Sequence, residues 1–317
     1  MSVLITGGAG FIGSHLAENC LNEGKTVIVI DDLSTGRYEN IAHLVQNNKF
    51  TFIRDDVKIC SDLDNLASKC KTIYHLAAAV GVELVIKDPI HTMSTNIAAT
   101  EKILEAASKH SCRVVMTSTS EVYGKSTSSV FAEDDDLIIG SPRNSRWSYA
   151  CSKLLDEFYC MSYYSKHNLP VVIARLFNTV GPRQTGRYGM VVPRFVKNAV
   201  EGKDLEVYGT GKQTRCFCHV KDTVRGLVML GQSSFSGEIF NIGSSHNITI
   251  EELAMYIIAK LKSKSKIRYI PYNVAYELGF EDMLHRFPHV EKIRKSLGWR
   301  TEFKLGDIID DVAKQYC

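Results

Sequence analysis

Short apolar runs rich in β-branched residues alternate along the first half of the chain with longer amphipathic stretches. The runs are VLITG, TVIVID, FTFIRD, TIYHLA, RVVMTS and VVIARLF. Runs that are apolar throughout are typical of parallel strands that helices cover on both faces. The pattern therefore predicts a βαβ series that forms a doubly wound α/β sheet over residues 1–177.

The rhythm changes after Phe177, where the loop GPRQTGRYG precedes a predicted helix from Val191 to Glu201. Further helices are predicted over 249–262 and 305–314. A chain of 317 residues is longer than one hydrophobic core usually serves. We therefore expect a smaller C-terminal α/β substrate-binding domain made of 178–214 and 246–317, while 215–245 returns to the large domain.

Composition is typical of a globular protein and excludes several classes of function. The net charge is +3, with 44% hydrophobic and 23% charged residues. The basic residues are scattered, which argues against a nucleic-acid partner, and no apolar segment has the length of a membrane span. Nine cysteines form no CxxC pair, so we predict reduced thiols, a cytoplasmic location and no metal site.

A predicted strand, a glycine-rich turn and an amphipathic helix open the chain in the sequence VLITGGAGFIGSHL. Gly7 permits the tight turn, Gly10 lets the backbone approach a pyrophosphate, and Gly13 allows the helix to pack closely. Asp31 ends the second strand, 18 residues after Gly13, where a carboxylate accepts hydrogen bonds from an adenosine ribose. The order predicts a Rossmann-like fold that binds NAD, because Asp31 repels the 2′-phosphate of NADP, although Arg37 nearby weakens that preference.

Two further strand ends fit the same cofactor. Asp56 and Val57 follow the third strand, and the small residues of HLAAA follow the fourth and leave room for a flat ring. His75 precedes these alanines. A lone histidine at a strand end is more often satisfied by neighbouring backbone, so we predict no catalytic role for it.

Tyr149 and Lys153 lie four residues apart in a predicted helix, which puts both side chains on one face. We predict that the Lys153 ammonium and a positive nicotinamide lower the pKa of the phenol from about 10, so that Tyr149 acts as a base. The hydroxyl row TSTSEVYG at the end of the fifth strand would supply the third member of the site.

Several motifs occur in order across nearly the whole chain: TGGAGFIGSHL, HLAA, STSEVYG, YACSK, RLFNTVGPR, GKQTRCF, FNIG and RFPHVEKIRKSLGW. Together they resemble the extended short-chain dehydrogenase/reductase family of nucleotide-sugar epimerases, dehydratases and decarboxylases. The resemblance implies that Thr119 binds the sugar O4, that Tyr149 takes its proton and that Lys153 holds the nicotinamide ribose. Glu121 completes the expected catalytic set.

The resemblance also implies which residues contact the ligands, and it implies a homodimer formed through helices near 95–108 and 149–166. The expected NAD contacts are Gly7, Gly10, Phe11, Ile12, Gly13, Asp31, Asp32, Ser34, Thr35, Gly36, Asp56, Val57, Leu76, Ala77, Ala78, Asn96, Thr117, Tyr149 and Lys153. The expected UDP-sugar contacts are Ser120, Glu121, Asn178, Val192, Tyr208, Arg215 and Arg286. Among these, Asn178 and the two arginines are expected at the diphosphate, where guanidinium groups bind in bidentate fashion.

The residues around Glu121 bear on which reaction follows C4 oxidation. Dehydratases of the family place Asp before this Glu, whereas this chain has Ser120, so the acid for ordinary 4,6-dehydration is missing and only a variant dehydratase stays open. STSEVYG is similar to UDP-glucuronate decarboxylases, but GPRQTGRYGMVVPRF is more similar to epimerases and dehydratases. We predict UDP-glucuronate decarboxylation, with UDP-hexose 4-epimerisation as the alternative and a catalytically idle NAD-binding regulator as a third reading.

An ionised Glu121 raises a physical objection to a uronate substrate. Two carboxylates about 4 Å apart repel by about 4 kcal/mol at an effective dielectric constant near 20. Either Glu121 is protonated, or it contacts ring hydroxyls instead, or the substrate is neutral.

Overall fold

A seven-stranded sheet organises the larger part of the molecule. The computed structural model describes residues 1–81, 85, 87–185, 190–271, 274, 283 and 286–316. Its strands are β1 (Ser2–Thr6), β2 (Thr26–Ile30), β3 (Phe50–Ile53), β4 (Thr72–His75), β5 (Arg113–Thr119), β6 (Val171–Leu176), β7 (Thr179–Val180), β8 (Leu205–Tyr208), β9 (Thr214–Cys216), β10 (Cys218–His219), β11 (Glu238–Ile242), β12 (Asn247–Thr249) and β13 (Ile267–Ile270).

The strand order in the large sheet is β11-β6-β5-β4-β1-β2-β3, and each neighbouring pair is parallel. The helices are α1 (Phe11–Asn22), α2 (Leu63–Ser68), α3 (Pro89–His110), α4 (Trp147–His167), α5 (Val191–Val200), α6 (Val220–Gln232), α7 (Ile250–Lys260), α8 (Glu291–Leu297) and α9 (Leu305–Ala313). The prediction of a doubly wound, Rossmann-like α/β fold is confirmed.

Helices cover both faces of this sheet, as its apolar strands require. Val3 and Ile5 of β1 point to one face, where they join a core with α1, α6 and Trp299. Leu4 points to the other face and joins a core with α2, α3 and α4. Side chains on both faces of these strands are therefore buried, which explains why apolar and polar residues do not alternate in the runs.

Shorter strands and three helices form a second core beside the large sheet. Strand β8 pairs with β13 in parallel, β9 pairs with β12 in antiparallel, and β7 pairs with β10 in parallel. Helices α5, α7 and α9 pack together through Phe195, Leu253 and Ile309, all fully buried. Thr249 and Glu252 form a capping box that fixes the start of α7.

Two helices beside the large sheet, α3 and α4, pack along each other. Helix α3 begins after Asp88, whose side chain accepts a hydrogen bond from the His91 amide, and Pro89 occupies its first turn. Among the described helices, none combines the length and the hydropathy needed to cross a bilayer. Strand order reverses between β1 and β4, and open α/β sheets bind ligands at the crevice beyond such a reversal.

Candidate active site

A cavity of about 670 Å³ lies at the carboxyl ends of the sheet strands and extends toward the second core. Nearly all the residues predicted to bind ligands line it. They are Gly7, Gly10, Phe11, Ile12, Gly13, Asp31, Asp32, Ser34, Thr35, Asp56, Val57, Leu76, Ala77, Ala78, Thr117, Thr119, Ser120, Glu121, Tyr149, Lys153, Asn178, Val192, Tyr208, Arg215 and Arg286. The structure thus brings both predicted sets together in one continuous space.

The glycine turn after β1 leaves no room for side chains. Gly7 has φ +69°, and a Cβ atom there would lie 2.8 Å from the Ala77 nitrogen. A Cβ on Gly13 would lie 2.1 Å from the Gly7 carbonyl oxygen. Helix α1 begins directly after this turn, and no side chain caps its first turn. Bare amides at a helix start form a cradle for a pyrophosphate, so this end of the cavity fits a dinucleotide.

Asp31 lies at the end of β2 with its carboxylate held by backbone. It accepts hydrogen bonds from the amides of Ala9 and Leu33, each at 2.9 Å. Burial nevertheless raises the pKa of Asp31, although these amide bonds oppose the shift. Gly36 does not line the cavity. A Cβ on it would lie 2.7 Å from Asp31 Oδ1. The lack of a side chain at position 36 lets its loop pack against this carboxylate.

Asn96 is the other predicted cofactor contact that lies outside the cavity lining. Its side-chain oxygen accepts a hydrogen bond from the Ala79 amide at 2.8 Å, and its nitrogen donates to Ser152 Oγ at 3.0 Å. Asn96 therefore joins the segment after β4 to helix α4.

The His75 ring forms hydrogen bonds within the structure, with the hydroxyls of Thr6 at 2.7 Å and Thr100 at 3.2 Å.

The predicted catalytic residues meet where β5 ends against α4. The hydroxyls of Tyr149 and Thr119 share a hydrogen bond, and Thr119 Oγ1 also accepts one from the Glu121 amide at 3.2 Å. Lys153 lies one helical turn beyond Tyr149 and lines the same cavity. Its ammonium donates to Asp156 at 2.9 Å, and both side chains are buried.

Burial raises the pKa of Tyr149, and the charges of Glu121 and Asp156 raise it further. The hydrogen bond with Thr119 acts in the opposite direction. The lowering that the sequence led us to expect from Lys153 is not among these contributions, and the Lys153 ammonium is paired with Asp156. In the chain alone, the phenol therefore holds its proton more firmly than an exposed tyrosine.

Glu121 lies between two arginines. Arg146 contacts it through Nη1 at 3.3 Å and Nη2 at 3.4 Å, and Arg286 contacts it through Nη1 at 3.2 Å. Burial would raise the pKa of Glu121, but the two guanidinium groups outweigh it and hold the pKa below its ordinary value. Glu121 is therefore ionised at neutral pH, and the group of three carries one net positive charge.

Arg146 is the residue that sequence reasoning missed. It lies three residues before Tyr149, directly before the first residue of α4, and it lines the cavity. A cation at the positive end of a helix is unfavourable, so another group has to hold it there. The arginine at the start of the predicted helix in SRWSYACSK could therefore have indicated a negatively charged partner.

The predicted substrate residues further along the cavity come from several elements. Asn178 follows β6, and its buried Nδ2 has no hydrogen-bond partner among the described residues. Arg215 extends from β9, and Tyr208 ends β8. The Arg194 guanidinium lies 4.2 Å from the centre of the Tyr208 ring. This end of the cavity thus presents donors and positive charge, as a nucleoside diphosphate requires.

The family model described as GDP-mannose 4,6 dehydratase matches residues 4–312. The chain belongs to this family. The resemblance to extended short-chain dehydrogenases/reductases is thereby confirmed, and so is the prediction that the protein is an enzyme.

The chain is similar to UDP-N-acetyl-alpha-D-glucosaminuronate decarboxylase of Bacillus cytotoxicus, with 41% identity over 92% of this chain and 90% of that protein. It is 36% identical to UDP-glucuronic acid decarboxylase 1 of Danio rerio over 96% of this chain and 69% of that protein. A solved structure of UDP-glucuronic acid 4-epimerase from Bacillus cereus, in complex with UDP-glucuronic acid and NAD, matches with a TM-score of 0.87. The identity is 30%, and the match covers 100% of this chain and 98% of that one.

Proposed function

We propose that this protein is an NAD-dependent nucleotide-sugar enzyme that oxidises C4 of a UDP-hexuronate and releases its C6 carboxylate as carbon dioxide. The observation that carries the proposal is the group formed by Glu121, Arg146 and Arg286. Because Arg286 lies 3.2 Å from Glu121, we assign it to the sugar carboxylate and not to the diphosphate at which its motif led us to expect it. The net charge of the group is positive, so it attracts a substrate carboxylate. The objection that Glu121 repels a uronate therefore falls away, because two guanidinium groups more than neutralise it.

Bound NAD supplies a hydride acceptor at the nicotinamide. The chain's own part is to position the sugar and to move a proton. Thr119 holds the O4 hydroxyl, and Tyr149 takes its proton as the C4 hydrogen leaves with its electron pair. The product is a β-keto acid, in which the C5–C6 bond breaks and its electrons move toward the C4 carbonyl. Protonation at C5 completes a 4-keto-pentose.

The group of Glu121, Arg146 and Arg286 orients the C6 carboxylate before the C5–C6 bond breaks. Charge-assisted bonds from guanidinium to carboxylate are directional, so they fix the angle between the C5–C6 bond and the ketone. Ser120, buried next to Glu121, offers a hydroxyl and no carboxylic acid. That arrangement supports decarboxylation over the loss of water that a general acid would assist.

Two uronates fit this site, UDP-glucuronate and UDP-N-acetylglucosaminuronate, and the two decarboxylase relatives support one each. Incubation of the purified protein with each uronate, with UDP-glucose and with UDP-N-acetylglucosamine, followed by proton NMR, tests the proposal. We expect a UDP-pentose or 4-keto-pentose from a uronate. A C4 epimer that retains all its carbon atoms would overturn it.

A UDP-hexuronate 4-epimerase is the second candidate. The match to the Bacillus cereus epimerase supports it, because the same positive group would also receive a carboxylate that stays on the sugar. The products of the parent protein distinguish the two candidates, and Glu121→Gln then separates C4 oxidation from the step that follows it. If Glu121 serves the later step, the variant still forms NADH from a uronate but releases no carbon dioxide; unchanged product formation would return Glu121 to a structural role.

We infer that the protein is a homodimer through α3 and α4. Ile90, Leu155 and Phe158 expose apolar side chains on these helices, at 76%, 41% and 63% of their surface. A second copy of the same helix pair would cover them. Phe158→Glu should yield a monomer in light scattering, whereas Met255→Glu, on α7, should not change the mass. A monomeric parent protein would contradict the inference.

A cytoplasmic location is part of the same proposal. The described cysteines are all free thiols, and most of them are buried in the cores. Reduced thiols and a nucleotide cofactor fit the reducing compartment of the cell.

A further inference from the structure

Asp156 is a buried carboxylate that the mechanism above does not use. It lies on α4 behind the cavity, is 0% exposed, and accepts a hydrogen bond from the Lys153 ammonium at 2.9 Å. It does not line the cavity, so no substrate or cofactor reaches it. A fully buried carboxylate is costly unless its charge is paired, and here the partner is the lysine of the active site.

We propose that Asp156 acts through Lys153 as a positioning residue and sets the pH range in which Tyr149 accepts the substrate proton. This proposal rests on the proposed function, since Tyr149 is taken as the base for C4 oxidation. The ion pair holds the ammonium near the tyrosine side of the helix but offsets part of its charge. Asp156 therefore keeps Lys153 in place, but it weakens the lowering of the Tyr149 pKa that the ammonium charge would otherwise cause.

The charged and polar groups around Tyr149 support this assignment. Glu121 faces it from the turn after β5, Thr119 from β5 itself, and Lys153 and Asp156 from its own helix. Arg146 lines the same cavity and pairs with Glu121. The two carboxylates, Glu121 and Asp156, both raise the pKa of Tyr149. Removal of one of them should therefore ease ionisation of the phenol.

The surroundings of Asp156 leave Lys153 as its main charged partner. Thr100 of α3 and Glu157 of its own helix lie close enough to affect its pKa, and its Oδ1 has no hydrogen-bond partner among the described residues. His75 of β4 is neutral near pH 7, because burial lowers its pKa to about 3. Burial raises the pKa of Asp156, and the Lys153 ammonium opposes that shift.

Asp156→Asn tests the proposal, because it removes the charge and keeps the shape. The pH dependence of NADH formation from a UDP-uronate should move its acid limb to lower pH by about one unit, the lower range of what one neighbouring charge does. Glu157→Gln is the matched control, since Glu157 is equally buried but pairs with Arg175 at 2.8 Å. Its acid limb should stay in place even if its stability falls.

A second readout works without turnover. In the NAD-bound protein, where the positive nicotinamide favours the phenolate, the tyrosinate absorption of each variant, minus that of its Tyr149→Phe counterpart, reports the ionisation of this phenol directly, and Asp156→Asn should ionise at lower pH. Asp156→Ser provides a second variant if the asparagine protein does not fold. An unshifted acid limb and an unshifted tyrosinate titration in a folded variant would overturn the proposal. Failure of every sugar to reduce NAD would instead count against the proposed function.

Discussion

The two ends of the cavity are built in different ways. The cofactor end, named for the ligand that it is predicted to bind, is lined by bare backbone and has no room for a side chain at Gly7 or Gly13. The sugar end, named in the same way, is lined by long charged side chains, with Glu121 held between Arg146 and Arg286. The first end comes from adjacent strand–helix units, whereas the second joins residues 165 positions apart.

The difference shows how each end should fail. A backbone cradle is sensitive to side-chain volume, and its amides do not titrate, so pH acts on this end through neighbouring carboxylates such as Asp31. An ion-paired group is sensitive to charge and to pH, and it tolerates small changes of shape. Tyr149 lines the cavity that joins both ends. In the proposed reaction, both ends have to be intact for the hydride to leave C4 and the proton to leave the O4 hydroxyl of the same sugar.

Tyr149→Phe should give the largest effect, because the site loses its base. General base catalysis contributes roughly 10²–10⁴ in rate, so NADH formation from a UDP-uronate should fall by about that factor. NAD affinity, measured by calorimetry, should remain near that of the parent protein. Tyr164→Phe on the same helix is the control and should keep full activity; retained turnover in the Tyr149 variant would remove this residue from the mechanism.

Arg286→Met should give the second largest loss of activity, because it removes a charge from the sugar end and leaves the cofactor end unchanged. A hydrogen bond to a charged group contributes roughly 1.5–3 kcal/mol, so kcat/KM for a UDP-uronate should fall by about 10–10²-fold. Arg146→Met should behave similarly. The exposed Arg143 on the same approach to α4 supplies the control, Arg143→Met. An equal loss on UDP-uronates and neutral UDP-hexoses would argue against carboxylate recognition.

Gly13→Ala should disrupt NAD binding at the cofactor end through the added volume of one methyl group. Its methyl group would lie 2.1 Å from the Gly7 oxygen, and overpacking of this kind costs about 1–3 kcal/mol. We expect a lower melting temperature and lost NAD binding. Gly306→Ala is matched, since this glycine also lies near the start of a helix but its nearest neighbours are the flexible tips of Tyr256 and Lys260. A similar loss in both variants would refute the steric explanation.

The smallest effect should be the pH dependence of stability that Glu121 supplies. Its folded-state pKa lies below the ordinary value of 4.5, so its contribution is fully present above that pH and is lost as the pH falls through the folded-state pKa. Glu121→Gln should be less stable than the parent at pH 7 by on the order of 1 kcal/mol. Urea unfolding at several pH values should show this difference shrink below pH about 4.5; a constant difference would mean that the ion pair contributes nothing.

The cofactor end was readable from sequence because its determinants are local. Glycine spacing, the acid after β2 and the Tyr149–Lys153 spacing each lie within one strand–helix unit, and the structure places all of them around the cavity. Gly36 and Asn96, which are also predicted cofactor contacts, lie outside the cavity lining, where Gly36 packs against Asp31 and Asn96 bonds to helix α4. Motif position alone does not tell a contact residue from the residue that holds it.

The sugar end was only partly readable, because its charge state depends on long-range pairing. Glu121 and Arg286 were identified from their motifs, but the ionised state of Glu121 follows from Arg146, which no motif singled out. The Lys153–Asp156 pair was missed for a similar reason. An i, i+3 spacing is common on helices, and only burial makes this pair consequential.

Strand β11 has a consequence for how the chain is made. It covers the outer edge of β6, but its residues begin at Glu238, more than sixty positions after β6 ends at Leu176. During synthesis, β6 therefore emerges with an open edge and waits while the intervening elements are translated. At ordinary elongation speeds of about 5–20 residues per second, that interval lasts several seconds, long enough for nascent chains on neighbouring ribosomes to pair edge to edge.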